Sequence, residues 1–357
     1  MKVHFFTTYY PPFLEQFYTS HPNYKNLSYA ALQEALLEQH FADTGAAYHF
    51  CKASGNEAFI TIANCEALQK KWAEENHIPY NENNWAYEIA LEQIKNQKPD
   101  VFFIESIFEY YGAFLAAAKP HCKKIAAWIS TPYDSNLNLS NIDLILSSTP
   151  AFVEGFKKQG IAAEYLLPAF DARVLKHLNA HAKKDIPFSF IGGWSHVHVI
   201  RKKIMQQMAA STPIQIWGYG YKQNYSKRSL AYYKNLLFPE NSVVLKAYKG
   251  EAWGLEMYKI LNRSLVTFNI HEALLQGRVG NMRMFEASGA GALLLNDNGS
   301  NLAELFVPDK EIVVYNSVEE AIEKLNYLLA HPEKAIEMGE NAQERTLKNY
   351  NYEIYIT

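Results

Sequence analysis

No run of ~20 uncharged residues occurs anywhere in the 357-residue chain, so the sequence offers no segment suited to a membrane-spanning helix. The opening, MKVHFFTTYYPP, lacks the apolar core and small-residue cleavage site of a secretory signal, and a cytoplasmic location is the expectation. Cysteine is scarce. Cys51, Cys65 and Cys122 form an odd set without a CxxC spacing, which argues for reduced thiols rather than disulfides or structural zinc. Arginine is missing from the first 168 residues, where 12 Lys face 18 acids for a net charge of −6. The remainder holds 15 Lys, all seven Arg and 19 acids, a net of +3. The overall charge of −3 excludes a general nucleic-acid binder. The one-sided arginine instead points to a small anionic ligand on the second half, because guanidinium suits bidentate contact with phosphate.

What is present is ordinary globular material, 48% apolar and 20% charged, and its length predicts about two domains. Short β-branched or aromatic runs at residues 2–7, 101–105, 124–129, 143–148 and 164–167 alternate with helical patterns at 28–41, 85–96, 111–118 and 150–159. Such alternation predicts an α/β fold, and the uninterrupted apolar run after Lys123-Lys124 predicts a parallel sheet covered on both faces. Residues 168–187 break the pattern, which then restarts. Strands are expected at 188–191, 214–217, 264–269, 292–295 and 311–315, with helices at 197–210, 229–237, 253–261 and 281–288. Two closing helices follow: Ser317 with Glu320 forms a capping box before one apolar face, and Pro332 opens the last helix. The expected divisions are 1–168, 169–340, and a terminal helix at 341–357 that crosses back to the first domain.

The segment NIHEALLQGRVGNMRMFEASGAGALLLND is built like an anion site. Gly280 frees the backbone, Asn281 is a helix N-cap, and the new helix directs its free N–H groups and positive dipole end outward. Arg283 lies in the first turn. Glu286 follows one turn deeper on the same face, where a carboxylate can accept two ribose hydroxyls. The competing explanation is a solvated i,i+3 pair worth ~0.5 kcal/mol.

The run GNMRMFEASGAGALLLND, with NLAELFVPDKEIVVYNSVEEAIEKLNYLLAHPE and GENAQERTLKNYNY after it, closely resembles the C-terminal domain of the glycosyltransferase group that includes the spore-maturation protein CgeB, relatives of the family 4 enzymes. The resemblance spans roughly residues 140–357. It implies the GT-B fold: α/β, with two Rossmann-like domains whose parallel sheets face a cleft, the nucleotide-sugar donor on the C-terminal one and the acceptor on the other. By the same resemblance Glu286 takes the place of the second glutamate of the family's E-x7-E motif and holds the ribose. Arg278 stands where the first glutamate would be, so the donor sugar is left open. Gly192 and Gly193 resemble the loop that lets backbone approach a diphosphate, and Arg201 resembles a diphosphate-facing arginine of the group. A tight strand-to-helix turn and a solvated basic face remain the plainer explanations. Trp217 and Gly218 end a strand where a doubly wound sheet exposes its ligand loops, so base stacking competes there with core packing.

No Asp-x-Asp triplet occurs, and Asn296-Asp297-Asn298 is a poor substitute for hard-cation carboxylates, so neither a metal nor a cofactor is expected. His271, just ahead of the anion loop, is the histidine best placed for proton transfer, whereas His196 and His198 form a weak metal pair. On the acceptor side, Glu105 and Asp134 follow predicted strands and are the carboxylates available as general base in an inverting reaction; a retaining reaction requires none. The expectation is therefore a glycosyltransferase acting on a nucleotide-sugar donor and a glycan, lipid-linked or protein acceptor. Peripheral membrane contact is compatible with it, and nucleic acid is not a partner. A nucleotide-sugar 2-epimerase of the same fold and a non-catalytic nucleotide-sugar-binding protein are the alternatives.

Overall fold

The computed structural model describes residues 1–134, 136–194, 199–221, 242–271 and 277–356. Two units divide the chain, Met1–Asp171 with Asn351–Thr357, and Ala172–Tyr350. The limit expected at residue 340 falls inside a continuous helix, Pro332–Asn349, and the short helix Tyr352–Ile356 is what counts with the first unit.

The first unit is built on six parallel strands: β1 (Lys2–Thr7), β2 (Glu57–Ile62), β3 (Val101–Ile104), β4 (Lys124–Trp128), β5 (Leu144–Ser147) and β6 (Ala163–Tyr165). They lie in the order β2-β1-β3-β4-β5-β6. β1 is buried from Val3 to Thr7, the state of a strand covered by helices on both faces. β3 starts where it does because the helix Trp85–Gln97 ends on Lys98 in the left-handed region (φ 48°), ahead of a proline that cannot continue the helix. β2 and the helices Pro11–Ser20, Asp43–Ala53 and Glu66–Glu75 were not expected from the sequence. Asp43–Ala53 carries Thr44 and Gly45 near its start, both unfavourable in a helix. They are tolerated because both are buried, and a Cβ on Gly45 would lie 3.3 Å from Leu37 Cδ2.

The second unit repeats the plan with β7 (Ile186–Ile191), β8 (Gln215–Trp217), β9 (Tyr248–Gly250), β10 (Ser264–Asn269), β11 (Leu293–Asp297) and β12 (Val313–Tyr315). All are parallel, in the order β12-β11-β10-β7-β8-β9. The chain winds outward from β7 in one direction and from β10 in the other, so the sheet reverses between these two neighbours, and in doubly wound sheets ligands bind beyond the strand ends at that point. The helix Val318–Ala330 lays Ala321, Leu325 and Leu328 into the core with Phe268, Leu293 and Leu295. Ser317 Oγ accepts from Glu320 N at 3.1 Å, while the Glu320 carboxylate reaches one residue past the cap to Asn316 N at 2.8 Å. At the edge where β10 and β11 begin, Lys184 Nζ donates to the carbonyls of Asn262 (2.8 Å) and Gly291 (2.6 Å), and burial pulls this ammonium down to about 8. The helix expected at 229–237, and His196 and His198, lie outside the described residues.

Candidate functional site

Four strand ends meet at the reversal of the second sheet. β7 runs into Gly192-Gly193, β8 into Gly218, β10 into Ile270-His271, and β11 ends on Asp297. Between β10 and β11 stands the helix Met282–Gly289, with Asn281 as its N-cap, as its sequence predicts: Asn281 Oδ1 accepts from Met284 N at 3.2 Å. The same side chain is locked from below. Asn281 Nδ2 donates to Asn269 Oδ1 (3.0 Å), and Asn269 Nδ2 donates in turn to Asn296 Oδ1 (2.6 Å). Asn269 and Asn296 are fully buried register partners on β10 and β11, so this polar chain is fixed by the sheet itself.

His271 occupies the centre of the loop, its side chain 3% exposed. Nδ1 lies 2.6 Å from Asp297 Oδ1, and the backbone N–H of His271 donates to Asp297 Oδ2 at 2.9 Å. Nε2 accepts from Gly280 N at 3.1 Å and from Asn281 N at 3.3 Å. Amide groups only donate, so Nε2 must be the bare nitrogen and Nδ1 must carry the proton given to Asp297. Both ring nitrogens are therefore committed within the protein, an arrangement that holds a loop rather than one poised to exchange a proton with a substrate.

Arg283 and Glu286 meet as the i,i+3 spacing predicts, Nη1 to Oε2 at 2.8 Å, but the pair is not on a solvated face. Their side chains are 18% and 9% exposed, and the Arg283 guanidinium also touches Met257 Sδ. An ion pair this enclosed differs from a surface pair because removing one partner strands the other. Arg278 is half-buried in the preceding loop, and its Nε has no partner among the described residues.

Of the glycines that follow β7 and β8, Gly218 serves first to let two backbones touch. Gly192 N donates to Trp217 O at 3.0 Å, and Trp194 N to Tyr219 O at 2.8 Å, so pairing continues beyond the strands. Gly218 has φ 138°, and a Cβ there would sit 2.1 Å from Gly192 O. At Gly193 a Cβ would instead meet the Tyr219 ring at 2.4 Å. Arg201 Nη1 reaches Gly193 O at 3.4 Å, and half-buried Trp217 contributes its carbonyl to the pairing. The aromatic surface here is Tyr219 stacked on Trp253, ring centroids 5.7 Å apart at 14°. Gly218→Ala is expected to cost about 3 kcal/mol or more, seen as a large drop in melting temperature, because its obstacle is backbone. Gly193→Ala is expected to recover most of its loss when combined with Tyr219→Ala, because its obstacle is a side chain.

In the first unit the sheet reverses between β1 and β3, and Glu105 lies at that point. Its Oε2 accepts from Thr7 Oγ1 at 2.7 Å and from the Thr44 hydroxyl, beside a Thr8–Ser106 hydroxyl pair at 2.8 Å. This half-buried carboxylate is held by hydroxyls at the carboxyl end of the sheet. Asp134 is exposed, and its Oδ1 accepts from Asn136 N at 2.8 Å in a local turn. Sequence reasoning missed Asp297, Asn269, Asn296 and Met257 as parts of the second-unit site. A visible signal existed for two of them, since the strands read TFN and LLN and carry paired asparagines, Asn269 at the end of β10 and Asn296 one residue before the end of β11.

Residues 200–356 match the family model described as glycosyl transferase-like. The second half of the chain is thus similar to this family. Comparison with solved structures agrees at the level of fold. Anabaena Alr3699/HepE, solved with UDP, superposes with a TM-score of 0.57 at 10% identity, over 100% of this chain and 97% of that one. A glycosyltransferase from Rickettsia africae gives 0.56 at 10% identity, over 99% and 96%. AviGT4, a glycosyltransferase involved in avilamycin A biosynthesis, gives 0.52 at 11% identity, over 87% and 85%. A comparison with curated protein sequences finds no match. The chain thus shares the GT-B fold of these glycosyltransferase structures, two parallel six-stranded sheets in α/β units. Among the described residues no helix is long and apolar enough to cross a membrane.

Proposed function

We propose that the protein transfers a sugar from a nucleoside diphosphate to a glycan, lipid-linked or protein acceptor, and that protein groups rather than a metal ion neutralise the departing diphosphate. The observation that carries this is the Met282–Gly289 helix, whose N-terminus opens at the reversal of the second sheet with Arg283 in its first turn. The first-turn amides of Met282 and Arg283 have no intrahelical partner by geometry, and with the helix dipole and guanidinium they favour negative charge as it grows on the leaving phosphate. Glu286 takes the ribose hydroxyls, exchanging part of its bond to Arg283 for them. Gly192, Gly193 and Arg201 border the diphosphate, and Trp217 and Gly218 border the base. His271, with both nitrogens in use, supports this site without entering the reaction.

Acceptor chemistry falls to the strand ends of the first sheet. With retention of configuration, which the family resemblance favours, the leaving phosphate oxygen takes the acceptor proton; with inversion, Glu105 is better held than Asp134 to act as base. Membership of the CgeB-like group is part of the proposal and rests on the run GNMRMFEASGAGALLLND. A cytoplasmic setting fits three free thiols, with peripheral membrane contact where the acceptor is lipid-linked.

Anabaena HepE has been crystallised with UDP-glucose, which makes UDP-sugars the first to test. Incubation with UDP-, GDP- and dTDP-sugars in EDTA is expected to release free nucleoside diphosphate slowly from one class, at the rate seen without EDTA. A new sugar isomer would identify an epimerase, and binding without turnover on any acceptor a sensor. Activity lost in EDTA and restored by Mn²⁺ would end the metal-free mechanism.

A further inference from the structure

Asp297 closes β11 with both carboxylate oxygens engaged on one residue, the backbone N–H and the ring Nδ1 of His271. Through that ring it is linked to the amides of Gly280 and Asn281, the two residues that immediately precede the Met282–Gly289 helix. The loop bends sharply at Gly280, where φ is 139°. Either neutral tautomer of a free imidazole is accessible, but only the one with its proton on Nδ1 leaves Nε2 able to accept two amides. A carboxylate at Nδ1 selects that tautomer, because it can accept a proton and has none to give.

We infer that Asp297 is a positioning residue of the donor site: by fixing the His271 tautomer it holds the Gly280–Asn281 backbone, and so sets where the helix N-terminus and Arg283 present themselves to a nucleoside diphosphate. This rests on the donor site proposed above. An asparagine at 297 has one acceptor oxygen and one NH2 group. The His271 backbone N–H keeps the oxygen, the NH2 faces Nδ1, and the ring proton moves to Nε2, where it opposes both amides. Asp297→Asn thus preserves size and burial while reversing the tautomer. A glutamine at 271 offers a carbonyl oxygen to the amides and has no tautomer to select.

The test uses the full chain labelled with 15N-histidine, His271 being assigned by its loss in His271→Gln, together with calorimetric titration of UDP, GDP and dTDP. In the wild type the ring nitrogen shifts are expected to report the Nδ1–H form, and in Asp297→Asn the Nε2–H form. The nucleotide that binds best is expected to bind tenfold or more weakly to Asp297→Asn. In the His271→Gln background the same substitution is expected to change affinity less than twofold, which a general structural role for Asp297 would not predict. An Nε2–H or doubly protonated ring in the wild type, unchanged affinity in Asp297→Asn, or an equal loss in both backgrounds overturns the inference. If no nucleoside diphosphate binds the wild type, the donor site falls and the positioning role with it, whereas binding that ignores position 297 defeats the positioning role alone.

Discussion

Arg283→Ala is expected to slow turnover ~100-fold or more and, at the same time, to lower the melting temperature. The first effect follows from removing a cation from a diphosphate that gains charge as the sugar leaves, a loss of ~3 to 4 kcal/mol of transition-state stabilisation. The second follows from the pairing seen in the structure: Glu286, its side chain only 9% exposed, would be left charged and without its guanidinium. Stranding a buried partner costs on the order of 3 kcal/mol, more than an exposed i,i+3 pair is worth. The two effects separate in the double variant Arg283→Ala/Glu286→Gln, in which no charge remains stranded. Its melting temperature should recover while its turnover stays low, and nucleotide affinity should fall further because the ribose contact is also weakened. Recovery of turnover together with stability would reduce the pair to packing. The measurements are initial rates on the best nucleotide-sugar and thermal unfolding of the three proteins in one buffer.

The repeated α/β plan was legible because parallel strands buried on both faces write their sequence as apolar blocks. KVHFFT and SLVTFN stand out as strands wherever they occur, and β1 and β10 begin and end where those blocks do. Elements whose burial is supplied by neighbours were not legible. The helix Asp43–Ala53 has a threonine and a glycine directly after its first residue, the glycine against Leu37, and β2 follows directly after its Ser54-Gly55-Asn56 turn. Neither has enough length or periodicity to announce itself. The last helix was located from Pro332, but nothing in its composition told that it would run on to Asn349 within the second unit before the chain turned to Tyr352–Ile356.

Within the site, what the sequence expressed was the helix start: glycine, N-cap asparagine, arginine, and glutamate three residues on. What it could not express was commitment. His271 and Asp297 lie 26 positions apart, and only the parallel register of β10 with β11 brings them to 2.6 Å. A histidine ahead of an anion loop invites a proton-transfer role until its second nitrogen is found accepting two amides. The same holds for Gly192 and Gly193, whose spacing suits a phosphate loop and whose surroundings show a prior need, since a Cβ at either would run into an aromatic ring, Phe190 at 2.8 Å or Tyr219 at 2.4 Å.

The protein is expected to lose stability as pH falls from about 6.5, and much of that loss should vanish in His4→Gln. His4 lies on β1, fully enclosed, with the rings of Phe102 and Phe59 centred 5.9 and 6.2 Å away. Its tautomer is set by a chain of buried groups: Gln93 Nε2 donates to Gln69 Oε1 (2.9 Å), so Gln93 Oε1 is left to accept the Thr61 hydroxyl proton. Thr61 Oγ1 therefore accepts from His4 Nε2–H, at 2.8 Å. The other nitrogen, Nδ1, has no partner among the described residues, and a proton placed there would bring a charge into apolar surroundings with nothing to receive it. Burial accordingly drops this imidazole from 6.5 to about 3. Between those values the unfolded chain binds a proton that the folded chain refuses, so unfolding gains about 1.4 kcal/mol for each pH unit of acidification. From pH 6.5 to 5, above the range in which ordinary carboxylates titrate, the loss from this residue should be about 2 kcal/mol. Glutamine can keep the donor to Thr61 and does not titrate, so urea unfolding of wild type and His4→Gln at pH 7 and pH 5 isolates the contribution. The wild type should weaken by about 2 kcal/mol more than the variant over that interval; parallel behaviour of the two would mean that His4 takes up its proton in the folded state after all.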